Sequence, residues 1–554
     1  MREKADMARQ GNAAIIEQFI ADGIPFMFGN PGTVEQGFLD ALEDYDGLQY
    51  ILTLQETVAA GIADGYARAT GRPALLQLHS GVGLGNAIGM LYQAKRGHSP
   101  ILTIAGESGV RYESMDAQMA ADLVAMAKPV TKYATRVTDP RSVLRVLRRA
   151  MKIAMTPPMG PVFVALPLDV LDALNTEQIV PTSAPATRSV PADGLVAQAA
   201  RLLTGAERPV VLVGDGVSAS GAQDELVRVA EQLGADIHGV NYSEVNLDVT
   251  HPLYRGDLGH MFGAVSTAAV KDADAVLIVG TYTFPEVFPD TGDPFRPDAR
   301  IVHIDLDDYE IAKNHPVTLG LVADPKETLA ALATHLESKL SDLDRAAAGE
   351  RLRTRREERP AGVADDGSLL HAFLRELAGQ VPDDVMVFDE ALTASGALAA
   401  HLPGRRPGHW FATRGGSLGV GIPGAMGIKL AHPDKTVIGF TGDGGSMYTF
   451  QALYTAVRHG IGAKFVVCNN RSYKLLDNNI EQYWRERDVA PHAYPTPFDL
   501  SHPELGFARI AEGFGVEALR VEDHGQVTDA VKRMLADDRP FLIDLRTTEG
   551  GDRG

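Results

Sequence analysis

Two short polar stretches of this chain have the residue types and spacing to hold a metal ion and a phosphate group. They are GDGG at 442–445 and NN at 469–470, and 24 residues separate GDG from NN. Glycine N–H groups at a helix N-terminus bind phosphate oxygens. Asp443 and Asn470 supply the hard oxygen ligands that Mg²⁺ shares with phosphates. We interpret the two stretches as a diphosphate clamp; the alternative interpretation is a glycine turn and an asparagine cap.

The elements around the diphosphate clamp form a strand–turn–helix–strand unit. An apolar strand is predicted over 436–440, and apolar residues at helical spacing predict a helix over 450–459 that Gly460 ends. A second strand is predicted over 464–467. Both polar stretches then follow the carboxyl ends of strands, where ligands bind in open parallel sheets.

A second set of polar residues follows strand signals near the N-terminus. FGNPGT at 28–33, LQE at 54–56 and LHS at 78–80 each come at a predicted strand end. Glu56 opens a helix that is predicted over 56–70 and closed by Gly71, so on its own it is also explained as an acid favoured by the helix dipole. His79 on its own is also explained as a histidine that caps a strand end.

Length, charge and composition limit the classes to which the protein can belong. The chain has 554 residues, which predicts about three domains, and a net charge of −20, which argues against nucleic acid as a partner. The single cysteine, Cys468, excludes an intrachain disulfide and lies in an apolar strand that we expect in the core. The first ten residues carry no apolar signal region, and no stretch reaches membrane-spanning length. We therefore predict a cytoplasmic protein without a membrane partner.

Strand and helix signals alternate along the whole chain, and apolar runs at 209–213 and 275–279 predict two buried strands. This alternation predicts an α/β fold with three doubly wound parallel-sheet domains over 1–180, 195–337 and 367–550. Residues 181–194 are rich in Pro, Ser and Ala and read as a linker. Residues 338–366 are dense in charge and predict a solvated helix followed by a linker.

The motifs occur in the order and at the separations of one family. FGNPGT, LQE followed by GYA at 65–67, LHSGVGLGN at 78–86 and the diphosphate clamp together resemble the thiamin-diphosphate (ThDP)-dependent 2-oxo acid decarboxylase and acetohydroxyacid synthase superfamily, and within it the benzoylformate decarboxylases. The resemblance covers nearly the whole chain and is loosest in the middle domain. It implies the ThDP-enzyme fold, with pyrimidine-binding, middle and diphosphate-binding domains. It also implies bound ThDP and Mg²⁺, and a homodimer or homotetramer with active sites at subunit interfaces.

The resemblance implies three catalytic residues. Glu56 matches the carboxylate that hydrogen-bonds the aminopyrimidine N1′ of ThDP and favours its imino tautomer, while the carbanion chemistry belongs to the cofactor. Thr33 and His79 match residues that contact the substrate carboxylate and relay protons.

The resemblance also implies the residues that bind the cofactor and the metal. Gly416 matches the residue whose carbonyl accepts from the 4′-amino group, and Leu418 matches the apolar wedge that bends ThDP. The residues matched to the diphosphate are Gly444, Gly445, Thr393 and Ser395. Those matched to the metal are Asp443, Asn470 and the carbonyl of Ser472.

The sequence departs from the family pattern around the substrate. Val287 stands where benzoylformate decarboxylases have a second catalytic histidine, and His260 lies nearby in sequence without matching it. Arg471 and Lys474 add charge after the clamp, and they would share a helix face if a helix began at residue 471. The flavin-contact run of the acetohydroxyacid synthases is absent at 280–285, so we predict no bound FAD.

The predicted function is a ThDP- and Mg²⁺-dependent lyase that decarboxylates a small 2-oxo acid to an aldehyde, with carboligation as a further outcome. An acetolactate-synthase-like carboligase and a 2-hydroxyacyl-CoA lyase are alternatives with the same chemistry. A non-catalytic ThDP-binding protein is a remote alternative, because Glu56 has no role in simply holding the cofactor. A dinucleotide oxidoreductase is disfavoured, since no G-x-G-x-x-G follows a first strand with an acid about twenty residues later.

Overall fold

The chain is described by a computed structural model that covers residues 8–358 and 364–547. It divides into two compact units. The first comprises residues up to 185, residues 365–402 and residues from 413 onwards; the second comprises residues 186–364 and 403–412. The predicted domain ends at residues 1 and 550 lie outside the described residues, and the predicted domain boundaries stay predictions.

The N-terminal part of the first unit is built on one parallel sheet. Its strands are β2 Phe26–Gly29, β3 Gln49–Leu52, β4 Ala74–His79, β5 Ile101–Glu107, β6 Tyr133–Arg136 and β7 Val162–Pro167; β1 Arg9–Gln10 and β8 Leu174–Asn175 pair separately as an antiparallel ribbon. The sheet order is β3-β2-β4-β5-β7-β6. The α-helices of this part are Gly11–Ala21, Gln36–Leu42, Glu56–Thr70, Ser80–Arg96, Leu123–Ala127, Val143–Met155 and Leu168–Asp172.

The second unit contains another parallel sheet. Its strands are β9 Pro209–Val213, β10 Asp236–Val240, β11 Tyr254–Leu258, β12 Ala275–Val279, β13 Arg300–Asp305 and β14 Leu319–Val322, in the order β11-β10-β9-β12-β13-β14. The α-helices of this unit are Asp193–Leu203, Asp215–Ser220, Gln223–Leu233, Gly263–Val270, Pro325–Lys339 and Asp342–Glu357.

The C-terminal part of the first unit carries the third parallel sheet. Residues 386–546 contain β15 Met386–Glu390, β16 Trp410–Ala412, β17 Val437–Gly442, β18 Lys464–Asn469, β19 Glu517–Val521 and β20 Phe541–Arg546. The first unit holds these strands in the order β15-β17-β18-β20-β19, and β16 belongs to the second unit. The α-helices are Leu369–Gln380, Ser395–His401, Gly421–Ala431, Asp443–Ser446, Ala452–Arg458, Lys474–Glu486, Phe507–Gly513 and Val527–Met534. Three helix-covered parallel sheets confirm the predicted fold class.

Short 3₁₀ helices complete the described secondary structure. They are Thr33–Glu35, Val110–Met115, Lys128–Val130, Pro140–Ser142, Leu392–Ala394, Thr496–Phe498 and His524–Gln526. No helix among the described residues is long and apolar enough to cross a membrane. Cys468 lies in the core of β18, as predicted, and burial raises the pKa of its thiol to about 12.

The helix Glu56–Thr70 has sequence signals at both ends. The side chain of Gln55 accepts hydrogen bonds from the N–H groups of Thr57 and Val58, which satisfies two amides of the first turn. At the other end Gly71 adopts φ +62°, a left-handed conformation that glycine takes without steric cost. The predicted bounds of this helix are confirmed, so Glu56 is fixed in its first turn.

Within the first unit, the helices Glu56–Thr70 and Gly421–Ala431 pack backbone against backbone. A Cβ atom on Gly65 would lie 2.2 Å from the carbonyl oxygen of Gly424, and one on Gly427 would lie 2.2 Å from that of Ile62. Both distances are far below van der Waals contact. The N-terminal and C-terminal parts of the first unit therefore meet through helices without side chains at their closest points.

Replacing Gly65 with alanine should destabilise the protein by about 1–3 kcal/mol, because the new methyl group meets a backbone atom. Gly379→Ala is the matched control, since a Cβ there meets no atom within 4 Å in an exposed part of a helix. Denaturant unfolding of both variants measures the difference. Equal free energies of unfolding for Gly65→Ala and wild type would show that the two helices can move apart to accept the methyl group without loss of stability.

Candidate active site

Three predicted catalytic residues follow neighbouring strands of the N-terminal sheet. Thr33 begins the 3₁₀ helix after β2, Glu56 opens the helix after β3, and His79 is the last residue of β4. The order β3-β2-β4 makes these strands adjacent. Because the strands are parallel, their carboxyl ends share one edge of the sheet, and all three residues lie there.

Glu56 is held by two amide side chains. Its carboxylate accepts hydrogen bonds from Asn30 Nδ2 at 3.3 Å and Asn86 Nδ2 at 2.9 Å, and only 4% of the residue is exposed. A Cβ on Gly83 would lie 3.0 Å from Glu56 Oε1, so glycine leaves room for the carboxylate. Asn30 and Asn86 belong to the FGNPGT and LHSGVGLGN motifs, which shows why these motifs accompany the glutamate.

His79 is paired with a buried glutamate that the sequence analysis did not single out. His79 Nδ1 lies 2.9 Å from Glu35 Oε2, and Glu35 Oε1 also accepts from the Gly106 amide at 3.0 Å. Burial raises the pKa of Glu35, while the hydrogen bonds from His79 and Gly106 oppose that rise. When Glu35 is ionised its oxygen can only accept, so this contact assigns a proton to His79 Nδ1.

Asp443 has the features of a metal ligand. It is 4% exposed, its Oδ1 accepts from the Gly444 amide at 2.7 Å, and its Oδ2 is buried without a hydrogen bond among the described residues. Burial raises the pKa of Asp443 to about 6, although the amides of Gly444, Arg471 and Ser472 act in the opposite direction. A buried carboxylate oxygen without a donor is costly unless a cation binds it. The residues of the diphosphate clamp therefore fit a divalent cation.

The second half of the clamp is a turn after β18. Asn470 Oδ1 accepts from the Ser472 amide at 2.9 Å, and Ser472 Oγ donates to Asp477 Oδ2 at 3.2 Å. Gly444 lies against this turn, because a Cβ there would be 2.4 Å from the ring of Tyr473. Neighbouring strands β17 and β18 thus bring Asp443 and Asn470 to one edge of the C-terminal sheet, where their spacing predicted them, and Ser472 follows in the same turn.

The helix after the clamp begins later than the shared-face hypothesis requires. It spans Lys474–Glu486, and Arg471 has φ +59°, a left-handed conformation outside any helix. Arg471 and Lys474 therefore do not share a helix face, and that premise was wrong. The cause is the turn that Asn470 forms with the amide of Ser472, which delays the helix by three residues.

A buried glutamate at the end of β15 holds the glycine-rich loop that contains Gly416 and Leu418. The carboxylate of Glu390 accepts from the amides of Gly419 and Gly421, the latter at 2.5 Å, and from the hydroxyl of Thr441 at 3.3 Å. Leu418 is half-buried in this loop and Gly416 is exposed. Glu390 therefore positions the loop predicted to bend the cofactor.

Burial raises the pKa of Glu390 to about 7, and the two amides and Thr441 only partly offset this rise. Because the folded state binds the proton more tightly than the unfolded chain, Glu390 stabilises the fold below pH 4.5 and loses that contribution as the pH rises to about 7. We expect wild type to lose about 3 kcal/mol more stability than Glu390→Gln between pH 4.5 and pH 8. Denaturant unfolding of both proteins at both pH values tests this expectation. Equal losses of stability in wild type and Glu390→Gln would contradict it.

Thr393 and Ser395 lie after β15 at the edge of the C-terminal sheet. Thr393 is in the 3₁₀ helix Leu392–Ala394, and Ser395 starts the next α-helix. Ser395 Oγ donates to Asp389 Oδ1 at 2.8 Å, so its proton is already engaged. Their contact with a diphosphate stays a prediction.

In the second unit the structure brings Val287 and His260 together. The amide of Val287 donates to the carbonyl of His260 at 3.3 Å, and the side chains of Phe262 and Phe288 stack beside them with ring centroids 5.3 Å apart. Val287 is 61% exposed. Sequence separation alone did not reveal this neighbourhood.

Family models match each of the three parts of the chain. They describe the N-terminal TPP binding domain, the central domain and the C-terminal TPP binding domain of thiamine pyrophosphate enzymes, at residues 9–126, 196–332 and 393–545.

Individual proteins are similar over nearly the whole chain. Benzoylformate decarboxylase of Pseudomonas aeruginosa is 31% identical over 95% of this chain and 96% of its own length. Acetolactate synthase of Arthrospira platensis is 29% identical over 98% of this chain and 95% of its own. The structure of the ThDP-dependent 4-hydroxybenzoylformate decarboxylase of Rhodococcus jostii RHA1 superposes with a TM-score of 0.85 at 28% identity, covering 97% of this chain and 99% of that one.

Proposed function

Because the chain belongs to the ThDP-dependent enzyme family that includes 2-oxo acid decarboxylases and acetolactate synthases, we propose that it decarboxylates a 2-oxo acid to an aldehyde. ThDP, when bound, supplies the electron-accepting ring that lets CO₂ leave. The observation that carries the choice of reaction is the His79–Glu35 pair.

The pair favours aldehyde release because that outcome needs a proton delivered to carbon. The carbon that has lost CO₂ is protonated in a decarboxylase, whereas a carboligase joins it to a second carbonyl group. Glu35 fixes the proton on His79 Nδ1, so Nε2 is the nitrogen that accepts or delivers a proton. Thr33 lies at the same sheet edge and offers a hydroxyl to the substrate carboxylate.

The residues around Glu56 support its role at the cofactor. Asn30 and Asn86 fix the carboxylate in a buried position, where it can share a proton with a ring nitrogen such as N1′. This arrangement also argues against a non-catalytic ThDP-binding protein, since binding alone does not need an ionisable group there.

The diphosphate clamp would hold Mg²⁺ through Asp443, Asn470 and the carbonyl of Ser472. Oδ2 of Asp443 is buried and has no hydrogen bond within the part of the chain that the structure describes, which supports this assignment. The diphosphate itself would lie near the remaining predicted residues, which are Gly444, Gly445, Thr393 and Ser395. Gly416 and Leu418, in the loop that Glu390 positions, would contact the rings.

A panel of 2-oxo acids, assayed with added ThDP and Mg²⁺, tests the proposed reaction. We expect CO₂ and one equivalent of aldehyde from the best substrate, with aromatic 2-oxo acids and pyruvate both included. CO₂ release accompanied by a two-carbonyl condensation product, without aldehyde, would overturn the proposal.

The same panel tests the second candidate function, which is an acetolactate-synthase-like carboligase. The 29% identity to the Arthrospira platensis enzyme supports this candidate. A 2-hydroxyacyl-CoA lyase would instead release aldehyde and formyl-CoA from a 2-hydroxyacyl-CoA. Product analysis from pyruvate and from such a thioester distinguishes these activities from simple decarboxylation.

We also propose that the enzyme is a homodimer or homotetramer whose active sites lie at subunit interfaces. The hydrogen bonds on Glu56 come from Asn30 and Asn86, whereas the amides that act on Asp443 belong to Gly444, Arg471 and Ser472. The residues around Glu56 are thus held within the N-terminal sheet, and those around Asp443 within the C-terminal sheet; we call these the two half-sites. This arrangement is compatible with an active site to which two chains contribute one half-site each.

Mixing two inactive variants tests the shared site. Glu56→Gln and Asp443→Ala protomers should recover up to roughly a quarter to a half of the activity when co-assembled, because one site in a mixed pair has both half-sites intact. Activity is measured after refolding or co-expression, with mass spectrometry to verify the mixed oligomer. Verified mixed oligomers without activity would show that each chain builds its own site.

A further inference from the structure

Three metal-ligating side chains meet on the C-terminal part of the first unit, outside the predicted active-site residues. His371 lies in the first turn of the helix Leu369–Gln380, His401 ends the helix Ser395–His401, and Asp365 precedes both. One candidate ligand atom from each residue lies within 4.8 Å of the other two. His371 is buried, His401 is half-buried and Asp365 is exposed.

The two histidines direct ring nitrogens at each other. His371 Nδ1 is 2.9 Å from His401 Nε2, with the ring planes 66° apart. When both rings are neutral, one of these two nitrogens carries a hydrogen and donates a hydrogen bond to the other. Two protonated rings would repel each other.

A cation can replace the shared proton between the two nitrogens. Zinc–nitrogen bonds of about 2.0–2.1 Å in tetrahedral geometry separate two ligand nitrogens by about 3.3 Å. The rings would therefore have to move apart by only about 0.4 Å from their 2.9 Å separation. Each ring would keep its proton on the nitrogen that faces away.

Asp365 is held in position by its own hydrogen bonds. Its Oδ1 accepts from the Gly367 amide at 3.0 Å, and its Oδ2 accepts from the guanidinium of Arg375, which lies one turn after His371. Ligating carboxylates are commonly oriented by such outer contacts, and each oxygen retains a further lone pair. The exposure of Asp365 leaves space for a water molecule as a fourth ligand.

We propose that Asp365, His371 and His401 form a binding site for a borderline divalent transition metal such as Zn²⁺. Two imidazole nitrogens and one carboxylate are typical zinc ligands, whereas Mg²⁺ prefers oxygen ligands alone. The site is therefore chemically distinct from the diphosphate clamp. It would tie residue 365, where the chain enters the first unit from the second, to two helices of the C-terminal part.

The test uses the full-length chain without an affinity tag, stripped of metal and kept in excess Mg²⁺ so that the diphosphate clamp does not compete. Titration of Zn²⁺ against a chromophoric chelator measures affinity. We expect one tight site per chain, weakened at least tenfold in His401→Gln and retained in the control His432→Gln, a half-buried histidine outside the cluster. Asp443→Asn should also retain it.

Co²⁺ gives a second measurement that does not depend on activity. Wild type should show the intense visible absorption of tetrahedral Co²⁺, and His401→Gln should lose it while keeping the far-ultraviolet circular dichroism of wild type. Equal Zn²⁺ affinity in wild type and His401→Gln, or the same weak Co²⁺ spectrum in both, would overturn the proposal. Decarboxylation with Mg²⁺ should be unchanged in His401→Gln.

Discussion

Glu56→Gln should slow hydrogen–deuterium exchange at C2 of bound ThDP by about 10²- to 10⁴-fold while leaving ThDP affinity nearly unchanged. The substitution keeps the volume of the side chain and removes the group that takes and returns a proton. One of the two asparagines, Asn30 or Asn86, would still donate to the side chain, because one amide oxygen remains to accept. Quenched-flow exchange measured by NMR gives the rate, and calorimetry gives the affinity.

The matched control for this prediction is Glu107→Gln. Glu107 is also a buried glutamate at the end of a strand in the N-terminal sheet, but it is paired with Arg136 rather than with the two asparagines. Exchange should stay near wild type in this control. Near-wild-type exchange in Glu56→Gln itself would show that Glu56 serves only as an acid in the first turn of its helix.

Asp443→Ala should weaken ThDP binding in the presence of Mg²⁺ by more than about 100-fold, beyond the 10- to 100-fold effect of losing an outer contact to a metal. The variant removes the buried oxygen Oδ2, which has no hydrogen bond among the described residues. The fold should survive, since Asp443 follows β17 at the sheet edge. Isothermal titration with ThDP measures the loss.

Asp434→Ala, an exposed carboxylate before the same strand, serves as the control for loss of charge. It should bind ThDP as wild type does. Titration of Mg²⁺ at fixed ThDP separates metal binding from diphosphate binding in both variants. Unchanged ThDP affinity in Asp443→Ala would remove Asp443 from the predicted metal ligands.

Periodicity and glycine signals were enough to place several strands and helices, among them the helix that carries Glu56. The predicted helix over 56–70 and the strands over 209–213 and 275–279 match the observed bounds. The region after the clamp was less predictable: the predicted helix over 450–459 is Ala452–Arg458, and the separate short helix Asp443–Ser446 was missed. Glycines there allow several local conformations, and tertiary packing selects one.

The sequence analysis did not single out Glu35 or Glu390, because the roles of both residues depend on distant partners. Glu35 faces His79, 44 residues away, and Glu390 accepts from amides about 30 residues away. The sequence did contain one usable signal for Glu35. It is an acid two residues after Thr33 in the same turn, and a histidine, His79, ends the neighbouring strand. No comparable local pattern marks Glu390.

The backbone contact between the helices Glu56–Thr70 and Gly421–Ala431 has an evolutionary consequence. A side chain at residue 65 needs space that the carbonyl of Gly424 occupies, and a side chain at residue 427 needs space beside Ile62. A homologous sequence that replaces one glycine must therefore shift the opposite helix, because no substitution removes a backbone carbonyl. Residues 65 and 427 should thus stay glycine wherever this helix spacing is kept, and directed-evolution libraries that seek new substrates should leave both codons constant.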